Sequence, residues 1–157
     1  MEPAFGEREK EEALNKAIGA LRRRERTSAE LHAWLGERGI DEDLVEEVIA
    51  ELVEVGELDD ERFAHAYAED KRALSGWGSE RIEAALAERG LGRSLAERAA
   101  SEPREAQLER AVAALERRGE DLSEESGRTR ALSFLTRRGF EYELAYDAIR
   151  EAERARV

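Results

Sequence analysis

The sequence predicts an all-α fold built as a tandem array of three three-helix repeats, and three observations predict it. A six-residue phrase recurs at residues 35–40, 86–91 and 135–140, with its glycines Gly39, Gly90 and Gly139 spaced 51 and 49 residues apart. Self-similarity at such a period marks stacked supersecondary units. Apolar or small residues stand eight, five and four positions before each glycine: Leu31, Trp34 and Leu35; Ile82, Ala85 and Leu86; Ala131, Phe134 and Leu135. That spacing lies on one face of a helix, and glycine after arginine supplies the left-handed residue that ends it. The composition is 41% charged and 41% hydrophobic with two prolines, which favours helix throughout.

Each element has its own signals. Leu14, Ala17, Ile18 and Leu21 make a stripe over about residues 10–25, closing in the basic stretch Arg22-Arg23-Arg24-Glu25-Arg26. Thr27-Ser28-Ala29-Glu30 reads as a capping box, the Thr27 hydroxyl accepting from the Glu30 amide and the Glu30 carboxylate reaching back. The helix it opens stops at Gly39. Asp41 caps the third helix with Ile40 and Val45 as a hydrophobic staple, and Leu44, Val45, Val48, Ile49 and Leu52 carry it to Gly56. Asp59 and Asp60 cap a fourth helix bearing Phe63, Tyr67 and Leu74. After the turn Gly76-Trp77-Gly78-Ser79, helices cover about residues 81–89 and 92–100. Pro103 suits a first helical position, and Leu108, Ala111, Val112 and Leu115 form the next stripe. A polar loop at 119–127 reads as a flexible joint, before helices at about 128–138 and 141–154. The division expected is a tail over 1–10 and repeats over 11–57, 58–100 and 101–157. With aromatics at 6%, each core is thin and is expected to lean on its neighbour. No segment alternates apolar and polar residues as a strand requires.

The net charge of −12 is unevenly placed. Residues 1–60 carry 18 acids and 8 bases, residues 61–100 seven of each, and residues 101–157 thirteen and eleven. Residues 41–60 hold ten acids and no base, a field that repels phosphate backbones and attracts basic protein surface. The absence of cysteine excludes disulfides and thiolate metal sites. No apolar run approaches the roughly 18 residues of a membrane span, and Met1-Glu2-Pro3 does not open a signal peptide. A soluble cytoplasmic monomer is expected.

Little in the chain points to catalysis. His32 and His65 are the two histidines, and His65 near Asp59 and Asp60 falls short of the three or four ligands a metal centre recruits. Phosphate-cradling glycine loops, nucleophile elbows and zinc motifs are missing. No catalytic residue, metal or cofactor is expected. The arginines carry more. Arg22, Arg23, Arg24 and Arg26 exceed what a helix dipole needs, Lys71 and Arg72 precede the Gly-Trp-Gly turn, and Arg128, Arg130 and Arg137 lie along one helix of the third repeat. With Trp77 these form the candidate partner-binding set, suited to phosphates or to acidic protein surface. Trp77 reads as a clamp between units. Arg38, Arg89 and Arg138 share one register and read as architecture.

Leu58-Asp59-Asp60-Glu61-Arg62-Phe63-Ala64, followed by Gly76-Trp77-Gly78, Ile82, Leu86 and Gly90-Leu91, resembles the central signature of the RecX family of recombinase regulators. Leu21 to Arg26, Ser28-Ala29-Glu30-Leu31, Leu35 and Gly39-Ile40 resemble its first repeat, and Leu135 to Phe140 its third, so the likeness spans about residues 11–154. The resemblance implies an elongated, curved, solenoid-like array that lodges in the groove of a RecA recombinase filament on single-stranded DNA and restrains its ATPase and strand exchange. It implies no catalysis. Lys71 and Arg72 match a basic stretch of the family, and Trp77 its aromatic. Ser75 stands where a base is common and Asp70 adds an acid, so the patch is thinner here. Two other readings fit the pattern: a helix-turn-helix-like DNA-binding protein, which the net charge opposes, and a helical-repeat scaffold for another partner.

Overall fold

A computed structural model describes residues 6–156. Among the described residues nine α-helices and one π turn follow one another without a strand: α1 (Glu7–Arg23), α2 (Ser28–Glu37), α3 (Glu42–Glu54), α4 (Asp60–Asp70), the π turn Lys71–Ser75, α5 (Ser79–Glu88), α6 (Arg93–Ala100), α7 (Arg104–Arg118), α8 (Glu125–Arg137) and α9 (Tyr142–Ala155). They form three groups of three. Each group encloses its own apolar cluster, around Leu31, Leu35, Val48 and Leu52, around Ile82, Leu86 and Leu91, and around Leu115, Leu135, Phe140 and Leu144. Burying each such side chain contributes about 1.5–3 kcal/mol. Each group therefore closes a core by itself, rather than sharing one with its neighbour. The surface measures 9949 Å² for 17.7 kDa, whereas a compact monomer of that mass exposes about 7900 Å². A row of small units explains the excess.

The local signals place the helix ends. Thr27 Oγ1 accepts from the Glu30 amide at 3.1 Å and Glu30 Oε1 accepts from the Thr27 amide at 3.0 Å, completing the capping box. Asp41 and Asp59 cap α3 and α4 by accepting from the Asp43 and Arg62 amides.

Three expectations are corrected. The first helix starts at Glu7, after Gly6, so residues 7–10 belong to it rather than to a tail; residues 1–5 lie outside the described residues. Leu74 is 84% exposed instead of buried on the α4 stripe. The reason is the π turn, whose wider i to i+5 winding takes Leu74 out of the i, i+3, i+4 pattern. The 119–127 segment is a packed cap and not a joint. Its Leu122 is buried, α8 already begins at Glu125, and Gly127 packs so tightly on the Asp121 carbonyl that no Cβ fits.

The repeated phrase makes the joints. Arg89 Nε and Nη2 donate to the two Glu30 carboxylate oxygens at 2.6 and 2.9 Å, and the Thr27 hydroxyl donates to the Arg89 carbonyl at 2.7 Å. Gly90 sits against Ala29, where a Cβ would come within 2.5 Å of the alanine methyl. One joint later the Gly78 and Glu80 amides donate to the Arg138 and Gly139 carbonyls at 2.8 and 3.0 Å, and Arg138 Nη1 donates to the Ser75 carbonyl at 2.5 Å. Arg89 and Arg138 thus bridge units, as their shared register suggested. Gly90 and Gly139, at φ +87° and +98°, end their helices and leave room for the neighbour.

Candidate partner-binding surface

The joint between the second and third groups leaves a groove of about 640 Å³ lined by Arg72, Arg110, Arg117, Arg118 and Arg138 and by no acid. Its rim carries Leu74, and its wall Phe134, over which Arg118 and Arg138 lie at 4.5 and 4.9 Å. The fold holds most of these cations in place. Arg72 donates to the Ala99 and Ser101 carbonyls at 2.9 and 3.1 Å, bracing the π turn on the end of α6. Arg110 spans the joint, donating to the Trp77 carbonyl and to Glu102 at 2.9 Å each. These bonds use Nη2 of Arg72 and both Nε and Nη2 of Arg110, so they fix the two guanidiniums and, among the described residues, leave Nη1 of each unengaged.

Beside it, Lys71 and Trp77 come together. The Lys71 ammonium sits 5.4 Å from the Tyr67 ring and 4.7 Å from that of Trp77, with Arg81 over the same indole at 4.1 Å. The Trp77 ring is half-buried on the second core, while its carbonyl takes Arg110 from the third group. The clamp is therefore the turn's backbone more than the indole.

The first group holds the other arginines. Arg23 and Arg26 each lie 5.4 Å from the Trp34 ring and Arg38 3.5 Å from it, so three guanidiniums surround one indole. Among the described residues none of Arg22, Arg23, Arg24, Arg26 and Arg38 has an acid within 4.0 Å, in a chain with 38 acids and 26 bases. Arg26 loses its proton more readily than usual, through burial and then repulsion by Arg24 and Arg23.

The remaining predicted residues lie elsewhere. Arg128 donates to the Leu122 and Ser123 carbonyls and meets Glu153, Arg130 pairs with Glu120, and Arg137 donates to its own helix at Ser133. They brace the terminal cap instead of joining the groove. The sequence reading missed Trp34, Arg110, Arg117, Arg118 and Leu74 as surface residues. Arg117 and Arg118 stand together before Gly119, a signal that could have found them, whereas Leu74 depends on a π turn that no local pattern announces. His32, Glu42 and Glu46 bring three ligand atoms within 4.8 Å of one another, with both glutamates exposed, and His65 is not among them.

The comparisons with known proteins meet this geometry. Residues 13–52 match the model of the first three-helix domain of RecX and residues 59–99 that of the second. The regulatory protein RecX of Deinococcus radiodurans is 39% identical over 152 residues, covering 95% of this chain and 72% of its own length. This chain belongs to the RecX family. RecX of Mycobacterium sp. strain JLS is 35% identical, covering 94% of this chain and 87% of its own. The crystal structure of RecX from Lactobacillus salivarius superposes with a TM-score of 0.82 at 22% identity, over 92% of this chain and 97% of that one, and so shows the same all-α repeat fold. The two RecX domain models fall on the first and second groups, leaving the acid-free groove at the far edge of the second. Among the described residues no helix is long and apolar enough to cross a membrane.

Proposed function

We propose that this RecX-family protein is a non-enzymatic cytoplasmic regulator that binds the RecA recombinase filament on single-stranded DNA and restrains its ATPase and strand exchange. The observation that carries the reading is the groove of five arginines rimmed by Leu74, in which Arg110 and Arg118 pair with Glu102 and Glu120 while, among the described residues, Arg72, Arg117 and Arg138 have no acid within 4.0 Å. In a chain of net charge −12 such a surface singles out an anionic partner. Exposed Leu74 adds apolar surface beside the arginines, which a protein partner can cover and a phosphate backbone cannot. The acidic run at 41–60 opposes a long DNA track across the first group. DNA is then met mainly through the filament.

Inhibition follows if the array binds one filament state better than another, since a ligand shifts an equilibrium only by its differential affinity. The test is co-sedimentation with recombinase filaments on single-stranded DNA together with their DNA-dependent ATPase rate. Binding with a lowered rate is expected; neither effect at saturating protein refutes the reading. A mobility shift with DNA alone separates the helix-turn-helix alternative, which requires tight, salt-sensitive binding without recombinase.

A further inference from the structure

The second helices of the three groups are strung end to end. The carbonyls at the C-terminal end of α8 (Arg138, Gly139) accept from the first amides of α5 (Gly78, Glu80), and the carbonyl of Arg89 at the end of α5 accepts from the Thr27 cap of α2. At each meeting the arginine before the glycine donates to an oxygen of the group it faces, the Glu30 carboxylate or the Ser75 carbonyl. The far end of this string, beyond Glu125, is closed by the chain's own Asp121–Gly127 contact. The near end is open.

There α2 stops at Arg38 and Gly39. Among the described residues the carbonyls of Arg38 and Gly39 accept no hydrogen bond, and a Cβ at Gly39 would meet nothing within 4 Å. At Gly90 and Gly139 the same space is filled by Ala29 and Arg81. The side chains around this end also copy a joint. Arg38 and Arg23 flank Trp34 as Arg138 and Arg118 flank Phe134.

We propose that this end of α2, with Arg38, Gly39, Trp34, Arg23 and Arg26, docks the N-terminal turn of a carboxylate-bearing helix in the protein partner. The inference rests on the reading that the partner is a recombinase filament. Chemistry selects the occupant. Free carbonyls ask for N–H donors, and a helix N-terminus offers up to four without an intrahelical partner. The unpaired arginines ask for an acid, which a first helical turn favours. A phosphodiester meets the arginines but brings no N–H donor for the carbonyls, so it satisfies only half of the site. In the one joint where the arginine takes a side chain, that side chain is the glutamate three residues after the cap.

The experiment compares wild-type protein with Arg38→Glu, the milder Arg38→Gln and the control Arg93→Glu. Each is titrated against recombinase filaments by co-sedimentation and against the same single-stranded oligonucleotide, without recombinase, by fluorescence anisotropy. Thermal melts control for folding. Arg38→Glu is expected to weaken filament binding at least tenfold and Arg38→Gln about threefold. Arg93→Glu is expected to change neither, and oligonucleotide binding to stay the same for all four. A photo-crosslinker replacing exposed Glu37 is expected to map to the first turn of a recombinase helix that carries Asp or Glu there. Unchanged filament binding by Arg38→Glu, an equal loss on the bare oligonucleotide, or crosslinks away from a helix start each overturns the inference. If wild-type protein itself ignores the filament, the proposed function falls first and this inference with it.

Discussion

Replacing Gly78 by alanine tests whether the second and third groups touch as described. At φ −84° the backbone accepts any L-residue, so the substitution adds only a methyl. That methyl would lie 2.5 Å from the Gly139 carbonyl carbon and oxygen and 2.6 Å from the Phe140 nitrogen, all of them backbone atoms that no rotamer change moves. The joint must part by about 1 Å, stretching the 2.8 Å Gly78–Arg138 and 3.0 Å Glu80–Gly139 hydrogen bonds. Each of those bonds contributes about 1 kcal/mol, and overpacking costs about 1–3 kcal/mol. Against this, the stiffer unfolded chain returns about 0.4–1 kcal/mol. The net expectation is a loss of about 2–4 kcal/mol, with faster amide exchange at Gly78 and Glu80. Gly36→Ala is the control, because its added methyl meets nothing within 4 Å on an exposed helix face; it should stabilise by about 0.5–1 kcal/mol. Denaturant titrations followed by circular dichroism read both. If Gly78→Ala stabilises like Gly36→Ala, the two groups do not pack as the structure has them and the reasoning fails.

Three further outcomes are expected. Burial pushes the Glu30 carboxyl up, but hydrogen bonds from Arg89 and the Thr27 amide outweigh it and hold the group below its ordinary value. Its contribution is therefore complete above the unfolded value of about 4.3 and lost as pH falls through the lower folded one. Glu30→Gln should flatten that acid limb. A double-mutant cycle with Arg89→Ala should give a coupling of about 1–2 kcal/mol, since the side chains are only 24% and 30% exposed; a coupling near zero would contradict the joint. Leu74→Glu should leave the melting curve unchanged, given 84% exposure, yet weaken filament binding about tenfold or more if Leu74 is an anchor.

The fold was legible because its determinants are local. Thr27-Ser28-Ala29-Glu30 and the stripes before Gly39, Gly90 and Gly139 place helix ends with no reference to the rest of the chain. What lay between helices was less so. Whether Glu30 serves only its own cap or also receives Arg89, 59 residues away, depends on the packing of two groups. Gly127 looks like the end of a loop until Asp121 is seen against it. Arg72 was singled out for its charge, and the structure gives two of its bonds to the Ala99 and Ser101 carbonyls. Leu74 fits the stripe of Phe63 and Tyr67 by spacing alone, and one wide turn breaks that stripe.

Joints made from hydrogen bonds and a glycine seat, with each apolar core kept inside its own group, have a mechanical consequence. Changing the angle between neighbouring groups disturbs a few polar contacts, each contributing about 1 kcal/mol, and leaves every core intact. The array is therefore stiffer within a unit than between units, and a force that bends it strains the seats at Gly90 and Gly139 before any three-helix block.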